Sequence, residues 1–461
     1  MNRNDTIYAL ASAPGMAGVA VIRISGGLAR HALEALIRGS VPPPRLAAHR
    51  RLFPPAQAGT GEAEENLPID DGLVIWFPGP ASFTGEDVAE LHIHGGRACL
   101  AAVTQALAAI AGLRPAEAGE FTRRAFENAK LDLTRAEALA DLVAAETEAQ
   151  RRQAMGQYLG ALAEHYEAWA QSLIGLCGEL EAAIDFSDED LPDGLISGIF
   201  PKISALAGEI EAHLNDNRRG ERLREGVRAV ILGAPNVGKS SLLNRLAGRD
   251  AAIVSETAGT TRDVIEVHLD LGGLPVTVAD TAGLREAVSD VEIEGIRRAR
   301  ARAAESDLKI LVFDAEAWPA LDGETRDLAD GASLLILNKV DLRDPRKDAS
   351  EMLYVGLGGE KLPIYSVSAR TEAGLAEVLA ALEAMARARM GPGQGAPITR
   401  ARHRAALVET FEALRRAAPE RPVEFNAEDL RLAARSLGRI TGRIDVEDVL
   451  DHVFREFCIG K

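Results

Sequence analysis

Between an apolar run, Val227 to Leu232, and a helical stretch, Ser241 to Ala247, the chain reads Gly233-Ala234-Pro235-Asn236-Val237-Gly238-Lys239-Ser240. This is a glycine-rich phosphate-binding loop in the setting the motif requires, a strand feeding a loop that opens a helix. The glycines let backbone N–H groups curl around phosphates at a helix N-terminus, where the dipole also favours negative charge. Lys239 reaches β and γ oxygens, and the Ser240 hydroxyl suits Mg²⁺. At ordinary glycine usage the bare pattern arises by accident in roughly one or two chains per hundred of this length. Its company therefore decides.

Four further signals follow in order. Asp280-Thr281-Ala282-Gly283 succeeds an alternating segment, Pro275 to Ala279, and suits a carboxylate that meets Mg²⁺ through water at a strand end. Asn338-Lys339-Val340-Asp341 succeeds the apolar run Leu334 to Leu337, and its Asp341 carboxylate can take two N–H bonds from a guanine edge, a donor pair adenine lacks. Ser366-Val367-Ser368-Ala369, with Arg370 after it, succeeds Pro363 to Tyr365 and would bring a backbone N–H near the guanine oxygen. Gly259-Thr260-Thr261-Arg262-Asp263 offers a threonine to close over the γ-phosphate, so Ser240 and Thr261 are the expected Mg²⁺ ligands. Asn236, Val237, Ser241 and Thr281 to Gly283 complete the expected GTP contacts. The order and spacing are those of a Ras-like GTPase.

A chain of 461 residues exceeds one core and suggests about three domains. No apolar run approaches a membrane span, and Met1 to Gly15 lacks the layout of a signal peptide. Cys99, Cys177 and Cys458 are scattered and odd in number, which fits a reducing cytoplasm better than a disulfide framework. A net charge of −17 argues against a general nucleic-acid coat. Yet Met385 to Arg416 holds seven arginines against two glutamates, and Arg431, Arg435 and Arg439 recur every four residues on one helix face. A solvated helix face and a phosphate-tracking strip for RNA are both open readings.

Residues 1–128 read as α+β. Thr6 to Ser12, Val19 to Ile24, Gly72 to Phe77 and Val88 to His94 are β-prone, Pro42 to Pro68 reads as a long loop, and Leu100, Val103, Leu107 and Ile110 mark one helix face. Residues 129–217 are helical in pattern, and Arg218 to Gly226 reads as a charged linker into a GTPase domain, 218–389. A Gly/Pro stretch, Gly391 to Gly395, precedes a second helical part, 390–461. Helices on both sides imply that the Ras-like α/β domain is an insert in one α-helical bundle.

Across nearly its whole length the chain resembles the bacterial tRNA-modification GTPase family MnmE (TrmE). The resemblance rests on Asp5-Thr6-Ile7, the run Gly18 to Gly26, Phe83-Thr84-Gly85-Glu86-Asp87, Gly119-Glu120-Phe121-Thr122-Arg123-Arg124-Ala125-Phe126, Lys130-Leu131-Asp132-Leu133 and the ending Cys458-Ile459-Gly460-Lys461. It implies a multidomain protein whose N-terminal α+β domain resembles folate-binding domains and mediates homodimerisation. It implies GTP hydrolysis with a FAD-containing partner, MnmG (GidA), in building a carboxymethylaminomethyl-type group on carbon 5 of the tRNA wobble uridine. 5-Formyltetrahydrofolate or a related tetrahydrofolate would supply the one-carbon unit. Carried onto this sequence, Arg23, Glu90, Lys130 and Lys461 are the folate residues. Cations among them can pair with folate carboxylates, and Glu90 can accept from pterin N–H groups.

Glu90, His92 and His94 share one strand face at period two, as metal ligands can, although a polar pocket wall is the plainer reading. Leu284 stands where Ras holds its water-orienting glutamine. The family resemblance assigns that role to Glu292, with Glu294 as rival, and replaces an arginine finger with K⁺ held by Asn236 and the 255–260 segment, here Ser255, Thr257 and Thr260. Two other readings stand beside it: a ribosome-assembly switch of the Era-like group, and a free-standing folate-dependent methyltransferase.

Overall fold

The computed structural model describes residues 5–55, 67–185, 195–249, 251–253, 266–280, 301–343, 353–357, 360–390, 396–444, 450, 453–454, 457 and 459–460. They divide into two compact units, one of Met1–Ala140 with Gly438–Lys461 and one of Asp141–Leu437.

In the first unit, strands β1 (Thr6–Leu10), β2 (Ala17–Ser25), β3 (Ala48–Leu52), β4 (Asp70–Phe77), β5 (Val88–Gly95) and β6 (Leu113–Pro115) form a sheet in the order β3-β4-β5-β2-β1-β6. Alternation decides which way each residue faces. Ala20, Ile22 and Ile24 of β2 and Leu91 and Ile93 of β5 turn inward, against helices Ala29–Ile37 and Arg97–Ala108. Their neighbours Arg23 and Glu90 turn the other way and stand opposite each other in the β2–β5 register. The expected loop from Pro42 to Pro68 contains β3, so that expectation is corrected. Ala48-His49-Arg50-Arg51-Leu52 buries only Leu52 and pairs with β4 alone, and a charged edge strand carries no apolar alternation to betray it.

The end of the chain belongs to this unit. Val453, Phe454 and Phe457 join Leu133 and Ala136 in a small core. Ile459 forms an antiparallel bridge with Ala118, and Gly460 (φ +101°) lies so close to the Leu10 carbonyl that a Cβ could not fit.

In the second unit, β7 (Val227–Leu232), β8 (Glu266–Leu271), β9 (Leu274–Asp280), β10 (Leu308–Asp314), β11 (Ser333–Asn338), β12 (Leu353–Leu357) and β13 (Glu360–Ser366) order as β12-β13-β11-β10-β7-β9-β8. The strands from β13 to β9 are parallel, and β12 and β8 close the edges antiparallel. Both faces are covered, Ala229 and Ile231 lying in one core and Val230 and Leu232 in the other. Burial on both faces is why Ala229 to Leu232 of β7 and Leu334 to Leu337 of β11 read as unbroken apolar runs. Helices Lys239–Ala247 and Leu375–Met390 supply Leu242, Leu246, Val378 and Leu382 to the first of these cores.

Helices Ala161–Asp185 and Ala401–Arg416 each pack on Leu195–Leu214, so helices that precede and follow the sheet domain share one bundle. The charged stretch Arg218 to Gly226 is no linker. It forms a helix, Arg219–Glu225, because Leu223 is buried while Arg222 and Arg224 pair with Asp307 and Asp141. Gly220 of that helix touches the backbone of Ile398, so the chain leaves for the inserted domain and returns at one place.

Candidate functional site

The phosphate loop leaves β7 through two positions that only glycine fits. A Cβ on Gly233 (φ +156°) would overlap the Val312 carbonyl, and one on Gly238 (φ +96°) would overlap the Asn338 side-chain amide. Gly238 caps the helix Lys239–Ala247 in the left-handed region, so the helix begins at Lys239 with its first amides at the loop. Lys239 Nζ donates to the Gly233 and Ala234 carbonyls at 2.8 and 2.9 Å, which holds the ammonium across the loop. Asn236 sits on the exposed rim with φ +64°. The β7–β9 register sets Asp280 opposite Ile231, two residues before the loop begins.

Asn338 joins the loops. Its side-chain amide, 1% exposed, donates to the Val237 carbonyl at 2.8 Å and accepts from the Ala369 N–H at 3.1 Å. One residue at the end of β11 thus ties the phosphate loop to the stretch after β13. Lys339 follows with φ +68°, and its ammonium meets Asp314 at the end of β10, 2.7 Å away. Burial pushes the Asp314 carboxyl up, but Lys339 and the Glu316 amide outweigh it and hold it below the usual carboxylate range. The buried Ser368 hydroxyl donates to Asp341 Oδ1 at 2.6 Å and accepts from the Thr371 N–H, which fixes that carboxylate. Arg370 reaches Asp341 only at 3.9 Å from an 82% exposed position, a contact of little weight. A cleft of about 500 Å³ lined by Ser241, Asn244, Arg245, Ala369 and Arg370 adjoins these loops.

Structure therefore brings together Val237, Gly238, Lys239, Asn338, Asp341, Ser368, Ala369 and Arg370. Ser255, Thr257, Thr260, Thr261, Thr281, Ala282, Gly283 and Glu292 lie outside the described residues, as does the side chain of Asp280. Asp314 and Arg245 were missed in the sequence, since neither stands within a motif. Asp314 had one signal, its place at the end of an apolar run, Ile310 to Phe313.

In the first unit, Arg23 and Glu90 bind each other, Arg23 Nε and Nη2 both donating to Glu90 Oε1 at 3.1 and 3.0 Å. The rings of Phe83 and Phe121 lie 5.4 and 5.8 Å from the guanidinium, and nothing in their sequence setting marks them as its neighbours. Lys130 Nζ donates to the Pro80 carbonyl at 3.0 Å, on the loop that carries Phe83. Lys461 lies outside the described residues, although Ile459 and Gly460 lie against Ala118 and Leu10. Behind them Arg114 and Arg124 converge on the buried Glu120, whose carboxyl is pushed up by burial and more than restored by these two arginines and the Glu117 amide.

His92 lies 3.4 Å from Glu90, while His94 turns away to Asp70 at 2.7 Å. Among the described residues no group of three or more His, Cys, Asp and Glu is placed to hold a metal ion. The arginine-rich stretch is largely tied up: Arg387 meets Glu383, Arg400 meets Asp141, and Arg404 meets Asp216 and Glu221. Arg431 is held by Glu181 and Glu428. No described helix is long and apolar enough to cross a membrane.

Comparison with known proteins gives two family matches. The model of the MnmE helical domain matches residues 133–458, and that of the GTP-binding protein TrmE N-terminus matches 6–130. The tRNA modification GTPase MnmE of Paramagnetospirillum magneticum is 55% identical, over 99% of this chain and 100% of that one. Its counterpart in Rhodospirillum rubrum is 56% identical over 99% of each. A mitochondrial 5-taurinomethyluridine-[tRNA] synthase subunit of Danio rerio, GTPB3, is 47% identical over 99% of this chain and 93% of its own. With both family domains matched along its length and relatives more than half identical over nearly the whole chain, this chain belongs to the MnmE family of tRNA modification GTPases.

Proposed function

We propose that this GTPase works in the machinery that installs a carboxymethylaminomethyl-type group on carbon 5 of the tRNA wobble uridine, in the cytoplasm, as a homodimer beside a FAD-containing MnmG partner. The observation that carries the reading is the 47% likeness, along almost the whole chain, to a synthase subunit named for a C5-modified uridine in tRNA. In this reading 1–128 binds folate, 129–217 and 390–461 form the helical part, and 218–389 hydrolyses GTP.

The geometry supports a role for each residue in this reading. Lys239 and the first amides of its helix hold the phosphates, the Asn338 junction sets the distance from phosphate loop to base loops, and Asp341, fixed by Ser368, accepts from the guanine edge. The donors present fit Mg²⁺: Ser240, in the first turn of the helix, and Thr261 would be its ligands, and Asp280, ending the neighbouring strand, would reach it through water. The exposed Asn236 on the loop rim fits a large, weakly hydrated cation, K⁺, together with Ser255, Thr257 and Thr260. Bound there, the two ions would supply positive charge against the phosphate oxygens. Glu292 orients the attacking water, since Leu284 cannot.

The folate site fits as a set of charges. Arg23, beside two phenyl rings, and Lys130 suit the carboxylates of a tetrahydrofolate, Glu90 suits pterin N–H groups, and Lys461 completes the set. Nucleoside analysis of tRNA from a deletion strain tests the whole. Unmodified wobble uridine, restored by complementation, is the expected result, and a normal nucleoside profile in the deletion strain overturns the proposal.

A further inference from the structure

The stretch after β13 is held from below by a side chain that no nucleotide motif contains. Arg245, on the helix that begins at the phosphate loop, donates from Nε to the Ala369 carbonyl at 3.0 Å and from Nη2 to the Arg370 carbonyl at 3.4 Å. Its remaining nitrogen, Nη1, meets Glu372 Oε1 at 2.9 Å, and Arg249, one turn on, meets Glu372 Oε2 at 2.7 Å. Glu372 itself sits at φ +66°, a conformation that costs a non-glycine residue and that the two arginines help to retain. Arginine suits the task because its planar fork can hold two carbonyls and a carboxylate in one geometry.

We infer that Arg245 is a positioning residue for guanine selectivity: it anchors the base-reading loop, Ser368 to Thr371, to the helix that carries the phosphate loop. The inference rests on the GTP reading of these loops. A trans peptide is planar, so a carbonyl drawn toward Arg245 turns the N–H of the same peptide, that of Arg370, to the opposite side. The Ala369 amide is fixed from its other side by Asn338. Between them, Arg245 and Asn338 set which way this loop presents donors to the oxygen at position 6 of the base.

The pairs are too exposed to matter much for global stability, with Arg245 at 47% and Glu372 at 41%. Their effect belongs in selectivity. The test compares GDP with the diphosphate of 2-aminopurine riboside, which keeps the exocyclic amine and lacks both the oxygen and the N1–H, on the full-length protein and on Arg245→Ala, so that the effect of the substitution is read on each ligand separately. The wild type should prefer GDP, and the variant should bind GDP about tenfold more weakly, the worth of one charge-assisted bond, while its affinity for the analogue stays within about twofold, a result that also shows the variant folded. Equal weakening for both ligands, or none for either, overturns the inference. A wild type that does not distinguish the two ligands overturns the guanine reading itself, and this inference with it.

Discussion

Replacing Asn338 by alanine should damage the nucleotide site more than its single side chain suggests. The substitution removes the donor to the Val237 carbonyl and the acceptor of the Ala369 amide, both inside a residue 1% exposed. Each partner left without a bond costs about 1–3 kcal/mol, so the pair costs about 2–4 kcal/mol if water recovers part of it. If the loops hold their positions without ligand, that cost appears as a lowered melting temperature of the free protein. If they drift apart, binding must restore them, and at 1.4 kcal/mol per decade the cost becomes a loss of roughly 30- to 700-fold in GDP affinity. Calorimetry with GDP and thermal unfolding of the free protein divide the two. Affinity within threefold of wild type together with an unchanged melting temperature would refute the reasoning, because the missing bonds must register somewhere.

Glu292→Ala should lower GTP hydrolysis by about 10²–10⁴-fold while sparing nucleotide affinity, with Glu294→Ala as the comparison; an essential Glu294 beside a dispensable Glu292 would reverse the assignment. Hydrolysis should be fast in K⁺ and slow in Na⁺ at equal ionic strength, a difference that Asn236→Ala erases, and equal wild-type rates in the two salts count against the cation site. Truncation after Phe457 should weaken 5-formyltetrahydrofolate binding and leave GTP binding intact; calorimetry showing unchanged folate affinity would sink the role of Lys461. Burial, with His165, Arg404 and His403 nearby, lowers the His213 imidazole to about 4 despite the opposing charge of Asp216. The unfolded imidazole titrates near 6.5 and binds protons first, so this contribution is complete above pH 6.5 and is lost as pH falls toward 4. Discounted for partial exposure it amounts to about 1–2 kcal/mol, and His213→Gln should flatten the pH dependence of unfolding across that window.

The nucleotide-binding half was legible because its chemistry is local. A loop, a strand end and a turn each declare themselves within eight residues, and the doubly covered strands read as plain apolar runs. What escaped depends on distant partners. The charged strand β3 has no alternation of its own, and the helix Arg219–Glu225 becomes a helix only through Asp141, Asp307 and a buried Leu223. The same cause explains the arginines from Met385 to Arg416. Counted locally they form a basic strip, but Arg400 finds its carboxylate 259 residues away and Arg404 one 188 residues away. In the N-terminal unit, Arg23 and Glu90 were singled out by resemblance, whereas their direct pairing follows from a β2–β5 register that sequence does not state.

Those long-range pairs have a location in common. Asp141, Asp216, Glu221, Arg224, Arg400 and Arg404 gather where the chain departs for the GTPase domain and returns from it. Arg404 also caps the Leu214 carbonyl at 2.8 Å, and Arg222 holds the Arg389 carbonyl at 3.1 Å, so both exits of the inserted domain are tied to its neighbours. Buried ion pairs add little net stability, since desolvation offsets much of their attraction. Their cost falls on partial rupture, when one charge is left buried without its partner. A junction of this kind resists small adjustments and gives way only as a set. A nucleotide-driven rearrangement must therefore leave the base of the inserted domain intact and move loops above it, or release several pairs together and pass to a second discrete arrangement. Only the second course would reach the bundle through this junction, and it would arrive as a step and not as a graded change.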